Sequence, residues 1–338
     1  CTYDKIDKLM EFINPKDFKL MIDEYHNFLK QYSFRDKAIN GVLAHFKEFK
    51  SYCFLSATPI PNNLKPAIFN DIPEYIADWN TTDEITVYPY HTNKPYMVAV
   101  KFIKTYQAKG CLNVNGIESK EAYFFINSVT EIKAILKQTQ LTEDDYRIIC
   151  ADNPKNRRTL EGYTISSSAD APKKFNFITS KSFEGVDFHS ETGLCFVVSN
   201  VQNRHTLVSI DMDIPQIVGR IRTKSNPFRN KVVHIFNTKA TDHYTTFEEM
   251  EQIVDKEVKA AQERADMLNN AKLSKEAIKQ QVNEIKKVGV ESYLSYQENK
   301  FIVNDMVAKL QLYSYYITTV VYQSDKSLRE TYAQSGIV

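Results

Sequence analysis

Two adjacent carboxylates follow a short apolar run near the beginning of the sequence. The run Leu20–Ile22 is followed directly by Asp23, Glu24, Tyr25 and His26. An apolar strand that delivers two neighbouring carboxylates suits a nucleotide-bound Mg²⁺. One carboxylate can hold the metal through its water shell, while the next orients and deprotonates an attacking water. The same residues are also typical of an acidic turn between a strand and a helix, so taken alone they leave both interpretations open.

A second apolar run, Tyr52–Leu55, is followed by two hydroxyl side chains, Ser56 and Thr58. Hydroxyls at the end of a strand can relay hydrogen bonds, or they can cap the turn that follows. The sequence leaves both roles open.

A third polar segment follows the apolar run Phe175–Ile178. Thr179 and Ser180 come first, and Gly185 and Asp187 follow a few positions later. The segment offers hydroxyl and backbone donors for a phosphate, and a carboxylate for a ribose or an arginine. An ordinary connection between two strands would contain the same residue types.

The fourth segment is Ile214–Thr223, in which Pro215 suits the first turn of a helix. Gln216 and Arg220 are four residues apart and share one face of that helix. An arginine beside a glycine can reach a transferring phosphate. On a continued helix Arg222 points roughly 120° away from Gln216, so it serves the same purpose only if the helix ends early. The alternative is an arginine pair on the surface of an amphipathic helix.

Short apolar runs that alternate with helical or polar stretches indicate the elements that position these residues. From residue 121 onward the runs are Tyr123–Ile126, Ile148–Cys150, Phe175–Ile178, Leu194–Val198 and Val232–Phe236. This pattern predicts an α/β fold with a parallel sheet that is covered on both faces. In open α/β sheets, ligands bind beyond the carboxyl ends of the strands, and several of these runs end in polar pairs there.

After about residue 240 the strand pattern stops and the spacing predicts helices. Apolar residues three or four apart indicate one long amphipathic helix over 247–268. Ser274 is placed to cap a second helix, which ends near Gly289. Residues 301–322 are apolar and rich in tyrosine, which is typical of a packed helix.

Composition excludes several classes of protein. The 338 residues carry 43 basic and 42 acidic side chains, so a strongly basic or acidic tail is not the main functional device. A hydrophobic content of 43% excludes wholesale disorder, and no run of about 20 apolar residues indicates a membrane span. The five cysteines show neither a CxxC pair nor zinc-ligand spacing, which favours reduced thiols in the cytoplasm.

The four polar segments, in this order, resemble motifs II, III, V and VI of superfamily-two helicases, the DEAD/DEAH-box-like ATPases. The motifs are DEYH from Asp23, SATP from Ser56, TxxxxxGxD from Thr179 and QxxGRxR from Gln216. The segment Tyr123–Ser128 is similar to the motif IV strand, and the resemblance covers roughly residues 1–238. It implies RecA-like parallel sheets. We therefore expect part of a first RecA-like domain with its linker at 1–95, a complete second one at 96–240 and a helical accessory domain at 241–338.

The resemblance also implies ATP and Mg²⁺ as cofactors and a role for each motif residue. Asp23 would hold Mg²⁺ through water and Glu24 would activate the attacking water. His26 and Gln216 would face each other across an interdomain cleft. Ser56 and Thr58 would link motif II to closure of that cleft, and Gly185 and Asp187 would line its nucleotide side. Arg220 would contact the γ-phosphate, with Arg222 as the second choice. The residues expected to contact the nucleic-acid backbone are Thr179, Ser180, Asn127 and Ser128.

Two features depart from the family pattern. The family has a phosphate-binding GxxxxGK[ST] loop upstream of motif II, but none of the nine glycines here is followed by lysine and only 22 residues precede Asp23. Because the sequence also begins without methionine, we expect it to be a piece of a longer protein and to be inactive alone as an ATPase. In motif VI, Thr223 stands where many relatives carry the second arginine.

The resemblance implies an ATP-dependent helicase or translocase that moves on nucleic acid. DNA is favoured over RNA, because the DEYH and GRxR forms look more like those of DNA helicases. The alternatives are a catalytically silent helicase-like module that binds nucleic acid or protein, and the motor portion of a restriction or remodelling complex. No membrane partner is expected, and the C-terminal helical region is a candidate site for a protein partner.

Overall fold

The computed structural model describes residues 1–77, 84–183, 185–239, 245–297 and 299–338. The chain packs into two compact units, each made of two stretches of sequence. The first unit comprises Cys1–Ile76 and His243–Tyr316, and the second comprises Ala77–Asp242 and Ile317–Val338. The expected boundary between 240 and 241 lies outside the described residues.

The helices and strands are numbered along the chain. The helices are α1 (Ile6–Met10), α2 (Asn27–Lys30), α3 (Tyr32–His45), α4 (Pro95–Lys109), α5 (Val129–Thr139), α6 (Pro154–Thr159), α7 (Asp213–Val218), α8 (Phe247–Asn270), α9 (Lys275–Val288), α10 (Asp305–Tyr315) and α11 (Asp325–Gln334). The strands are β1 (Lys19–Ile22), β2 (Ser51–Phe54), β3 (Thr86–His91), β4 (Leu112–Val114), β5 (Ile117–Ser119), β6 (Glu121–Phe125), β7 (Tyr146–Ile149), β8 (Phe175–Ile178), β9 (Gly193–Ser199), β10 (Lys231–Phe236), β11 (Leu294–Gln297) and β12 (Lys300–Val303).

The second unit is built on a six-stranded sheet with the order β3-β10-β9-β6-β8-β7, in which all neighbours are parallel. Every residue of β7, β8 and β9 is buried. Strands that are covered on both faces lose the alternation of polar and apolar residues, which is why they are continuous apolar runs in the sequence. The predicted α/β class with a parallel sheet is therefore confirmed.

Among the described residues of the first unit, β1 and β2 pair in a two-stranded parallel sheet, with Ile22 opposite Phe54. Its core joins Ile22, Phe28 and Leu29 to residues from the far end of the chain, among them Val254, Met306, Val307 and Leu312. The expected helical domain at 241–338 is thus not a unit of its own. Helices α8 and α10 place apolar side chains in the core of the first unit, and residues 317–338 belong to the second unit.

A short antiparallel hairpin, β11–β12, interrupts the region where the spacing predicted helices alone. Leu294 and Phe301 are buried against Ala261 and Ala265 of α8. The turn includes Asn299 with φ +61, a left-handed conformation that asparagine tolerates better than most residues. Two four-residue strands offer too few alternating positions to be recognised in the sequence, so this part of the prediction was wrong.

Among the described ranges, no helix combines the length and the apolar character that a membrane span requires.

A buried polar network ties the last helix to the sheet of the second unit. His234 on β10 is fully buried, and its Nδ1 lies 2.5 Å from the hydroxyl of Tyr332 on α11. Its Nε2 lies 3.0 Å from Ser199 Oγ, to which the Tyr322 hydroxyl donates at 3.1 Å. Burial lowers the pKa of His234 to about 3 from its ordinary value of 6.5, because the charged imidazolium would lose its hydration.

This pKa predicts acid sensitivity of the second unit. As pH falls below 6.5 the unfolded chain takes up a proton at His234 while the folded unit does not, so the stability that is complete above pH 6.5 is progressively lost towards pH 3. Between pH 7 and pH 5 the free energy of unfolding should fall by about 2 kcal/mol through this group. Denaturant unfolding at the two pH values measures the change. His234→Asn should remove this part of the pH dependence, whereas the exposed His189→Asn should retain it; an unchanged slope in His234→Asn would contradict the assignment.

Candidate functional site

The two polar segments of the first unit lie side by side at one edge of its short sheet. Because β1 and β2 are parallel, their carboxyl ends meet at the same edge. The Leu55 N–H donates to the Ile22 carbonyl at 2.8 Å, and the Tyr25 N–H donates back to the Leu55 carbonyl at 3.1 Å. These main-chain bonds bring the DEYH and SATP segments together.

The imidazole of His26 connects the side chains of the two segments. It is fully buried, and its Nδ1 lies 2.8 Å from Ser56 Oγ, 3.2 Å from Glu24 Oε2 and 3.4 Å from Thr58 Oγ1. Ser56 Oγ also accepts the Thr58 N–H at 2.9 Å. A movement of the Glu24 carboxylate can therefore shift the Ser56 and Thr58 hydroxyls, and the reverse, because both contact the same imidazole nitrogen.

Glu24 has a left-handed backbone, with φ +51. This conformation is uncommon for a residue with a Cβ, and such strain is often found at functional sites. It turns the chain sharply after β1, so that Asp23 is exposed while the Glu24 side chain is about one-third exposed and points to His26. The Glu24 N–H donates to Asp23 Oδ1 at 3.0 Å, which stabilises the same turn.

The strain at Glu24 predicts that Glu24→Gly stabilises the first unit. Glycine adopts positive φ without the steric cost, and this gain exceeds the entropy that glycine loses on folding. We expect the free energy of unfolding to rise by roughly 0.5–1 kcal/mol even though a carboxylate is lost. Denaturant unfolding measures this free energy. The matched control is Glu11→Gly, because Glu11 has φ −72 and its replacement by glycine should lower the stability of the first unit. A decrease in both variants would show that the backbone at position 24 is not strained.

The expected Mg²⁺ position has a simple donor set. Across the part of the chain that the structure describes, no three His, Cys, Asp or Glu side chains converge as a metal site. Asp23 offers one exposed carboxylate, which fits a Mg²⁺ that keeps most of its water and takes further oxygen ligands from phosphates. It does not fit an ion held by protein groups alone.

In the second unit, Arg220 and Arg222 approach one carboxylate, that of Asp187. Arg222 Nε donates to Asp187 Oδ1 at 2.7 Å, and Arg220 Nη1 lies 3.9 Å from the same oxygen. Arg220 is buried and also donates through Nε to the Gln216 carbonyl at 2.8 Å and through Nη2 to Gln216 Oε1 at 3.3 Å. From the sequence, either a ribose or an arginine could have been the partner of the Asp187 carboxylate. In the structure the partner is arginine.

The helix that carries Gln216 ends early, which is the condition under which Arg222 was expected to serve beside Arg220. Helix α7 ends at Val218, and the chain then forms a parallel bridge between Ile221 and Phe188. The Phe188 N–H donates to the Arg220 carbonyl at 2.8 Å, and the Arg222 N–H donates to the Phe188 carbonyl at 2.9 Å. Side chains two apart in an extended segment lie on the same side, which brings both arginines to Asp187.

Gly185 lies two residues before Asp187 and has φ +73. A Cβ at this position would meet no neighbouring atom, so glycine is needed for the backbone conformation and not for space. The turn directs the following segment towards the bridge at Phe188.

The polar residues that end β6 and β8 meet at the carboxyl edge of the six-stranded sheet. Ser180 donates to Asn127 Oδ1 through Oγ at 2.7 Å and through its N–H at 3.2 Å. Asn127 Nδ2 donates in turn to the His205 carbonyl at 2.7 Å. Ser180 is exposed and Asn127 is half-buried, so this pair is accessible to a ligand at the edge.

The other two residues expected to contact nucleic acid have buried hydroxyls with local partners. Ser128 caps α5 by accepting the Glu131 N–H at 3.4 Å. Thr179 Oγ1 donates to the Ile149 carbonyl at 3.4 Å. The Ser128 and Thr179 side chains stabilise the backbone at this edge of the sheet. The side chains that a ligand could reach are those of Asn127 and Ser180.

Sequence reasoning missed His205 and Lys155 at this edge. The pKa of His205 is lowered by partial burial and by the positive charge of Lys155, so the imidazole is neutral at pH 7. No local pattern indicates His205, because its position follows from the hydrogen bond to Asn127, 78 residues away.

No protein-family model and no curated protein matches this chain. Among solved structures the chain is similar to Mss116p with its NTE and C-tail deleted, bound to ssRNA and AMP-PNP. The TM-score is 0.39 and the sequence identity 12%, over 76% of this chain and 57% of that chain. The chain thus spans a little over half the length of that protein. The likeness concerns the fold alone, and what this chain binds must come from its own residues.

Proposed function

We propose that the chain is the part of an ATP-dependent nucleic-acid helicase or translocase of superfamily two that runs from motif II to motif VI. The observation that carries this proposal is the arrangement around His26, whose imidazole contacts the carboxylate of Glu24 and the hydroxyl of Ser56. A scaffold has no need for a buried imidazole between a carboxylate on a strained turn and a strand-end hydroxyl. A motor needs this connection, because it must transmit a change at the nucleotide to the rest of the protein.

Within the first unit, Asp23 and Glu24 take different roles. A bound Mg²⁺–ATP would supply an electrophilic phosphorus and neutralise the charge that develops on its oxygens. Asp23, which is exposed, would hold the hydrated ion. Glu24 would orient and deprotonate the attacking water. The His26 ring, 3.2 Å from Glu24 Oε2, would fix the orientation of that carboxylate.

Within the second unit, the arginine pair would supply positive charge to the nucleotide. Asp187 holds Arg222 at 2.7 Å but lies 3.9 Å from Arg220, and the main-chain carbonyl of Gln216 fixes the Arg220 Nε. The main-chain and side-chain oxygens of Gln216 therefore orient Arg220. A guanidinium held in this way suits contact with a phosphate, whose negative charge it would stabilise. Arg222 would keep Asp187 in place.

Nucleic acid would bind at the edge formed by Asn127 and Ser180. Amide and hydroxyl groups are suitable donors for phosphate oxygens, and such contacts are independent of base sequence. DNA is favoured over RNA by the DEYH and GRxR forms, and the five free cysteines suit a reducing compartment such as the cytoplasm.

A protein partner would bind to α9 and to the β11–β12 hairpin, because α8 and α10 use apolar side chains in the core of the first unit.

The second candidate is a helicase-like module that binds nucleic acid without hydrolysing ATP. It is favoured by one sequence observation, that no glycine in this chain is followed by lysine. Without a GxxxxGK[ST] loop, the phosphates would lack the backbone cradle and the lysine that the family uses. On this ground we also propose that this chain alone hydrolyses ATP slowly or not at all.

Nucleic-acid binding and ATP hydrolysis, measured together, separate the two candidates. Both are measured on this chain and on the longest natural polypeptide that contains it, with single-stranded DNA and RNA of equal length. The helicase proposal expects binding by both and stimulated hydrolysis by the longer polypeptide, and the stronger stimulator identifies the substrate. Binding without hydrolysis by either would support the silent module. Absence of both would overturn both candidates.

A further inference from the structure

The hydroxyl of Tyr3 contacts the strained turn from a part of the chain that lies 20 residues upstream. It donates to the carbonyl of Asp23 and lies 3.3 Å from the carbonyl of Glu24. These two carbonyls flank the residue with φ +51. A single hydroxyl therefore contacts both peptide groups whose orientation defines the left-handed turn.

Tyr3 is itself held in place by two side chains. Its ring packs edge-on against the buried Phe28, with centroids 5.2 Å apart and an interplanar angle of 83°. The Arg35 guanidinium lies 5.1 Å from the ring centroid and is fixed by Asp4 at 2.6 Å and by Gln31 at 2.9 Å. Contacts on the ring edge and on the ring face restrict its rotation, so the hydroxyl is directed at the turn.

We propose that Tyr3 is a positioning residue that keeps Glu24 in its left-handed conformation and thereby directs the Glu24 carboxylate to His26. Without the hydroxyl, a glutamate gains free energy by returning to negative φ. Rotation of that backbone bond would turn the carboxylate away from His26 Nδ1. The importance of this position for hydrolysis rests on the proposed function, whereas the conformational role of Tyr3 does not.

Hydrogen exchange of the main-chain amides tests the conformational role directly. The amides of Tyr25 and Asn27 donate to Leu55 and Glu24 across this turn, so their exchange reports its opening. In the Tyr3→Phe variant we expect the peptide covering residues 20–29 to exchange about fivefold to tenfold faster, as the loss of one hydrogen bond predicts. Tyr296→Phe removes a hydroxyl from a half-buried ring of the same unit and should leave this peptide unchanged.

A second variant separates positioning from ordinary packing. When position 24 is glycine, the turn adopts positive φ without the Tyr3 hydroxyl. Adding Tyr3→Phe to Glu24→Gly should therefore accelerate amide exchange much less than adding Tyr3→Phe to the parent protein. An equal acceleration in both backgrounds would overturn the proposal, as would an unchanged rate in Tyr3→Phe. Faster exchange in all peptides of the first unit would also overturn it, because that result indicates general destabilisation.

Hydrolysis is then compared in the longest natural polypeptide. There Tyr3→Phe should lower kcat about tenfold with little change in the KM for ATP, since the turn acts on the attacking water and not on nucleotide binding. If the exchange result appears as expected while no form hydrolyses ATP, the positioning role stands and the helicase proposal fails. If the parent hydrolyses ATP and Tyr3→Phe lowers neither kcat nor the protection of the turn, the positioning role fails alone.

Discussion

Replacement of Phe124 by alanine is expected to lower the free energy of unfolding of the second unit by about 3–5 kcal/mol. Phe124 is fully buried on β6, between β9 and β8. Its ring stacks on Phe177, with centroids 5.5 Å apart, and on Phe196, at 4.8 Å. Both neighbours belong to strands paired with β6, so they cannot move inward to fill the space, and most of the cavity remains.

Denaturant unfolding of the Phe124→Ala variant measures this loss. The control is Met97→Ala on α4, where a side chain of the same unit is 49% exposed and its removal should change the stability by no more than about 0.5 kcal/mol. A loss below about 1.5 kcal/mol in Phe124→Ala would mean that the sheet relaxes around the cavity.

Replacement of Glu24 by glutamine is expected to reduce nucleic-acid-stimulated ATP hydrolysis by about 10²- to 10⁴-fold. Glutamine has nearly the same shape and can still accept a hydrogen bond from His26, but its amide cannot take a proton from water. Nucleotide affinity should change little, because the role of binding Mg²⁺ is proposed for Asp23. Steady-state hydrolysis and nucleotide titration of the longest natural polypeptide measure the two quantities.

Glu48→Gln is the matched control for this substitution. Glu48 is an exposed glutamate that also contacts a histidine, with its Oε1 2.6 Å from His45 Nδ1, but it lies outside the proposed site. Its replacement should leave hydrolysis within about twofold of the parent. If Glu24→Gln costs less than tenfold, Glu24 is not the general base.

The sheet of the second unit could be predicted because its strands are buried on both faces. That burial makes each strand a continuous apolar run, and the parallel arrangement then places Asn127 and Ser180 at one edge. The position of both side chains beyond the ends of their strands was expected, but the hydrogen bond between them was not. Which hydroxyls remain accessible was not expected either, since the partners of Ser128 and Thr179 depend on a local cap and on a neighbouring strand.

The parts that could not be predicted depend on tertiary contacts. The end of α7 at Val218 follows from the bridge between Ile221 and Phe188, which are 33 positions apart, and no local propensity encodes it. Helix periodicity indicated α8, and an apolar, tyrosine-rich composition indicated α10, but neither indicated the core that the two helices enter. The role of Tyr3 is similarly hidden, because a tyrosine before a short helix gives no sign that its hydroxyl contacts a turn 20 residues later.

The division of the C-terminal residues between the two units has a consequence for protein synthesis. The first unit needs α10 to cover Phe28 and Leu29, and the second needs Tyr332 for His234 and Val338 for the open edge of β3, where its main chain bonds to Ile85 and Val87. Neither unit has all of its core until residues 305–338 have left the ribosome. At about 5–20 residues per second, the first apolar segments wait many seconds for their partners. A nascent chain that pauses near residue 300 therefore leaves Phe28 and Leu29 of α2 exposed to chaperones.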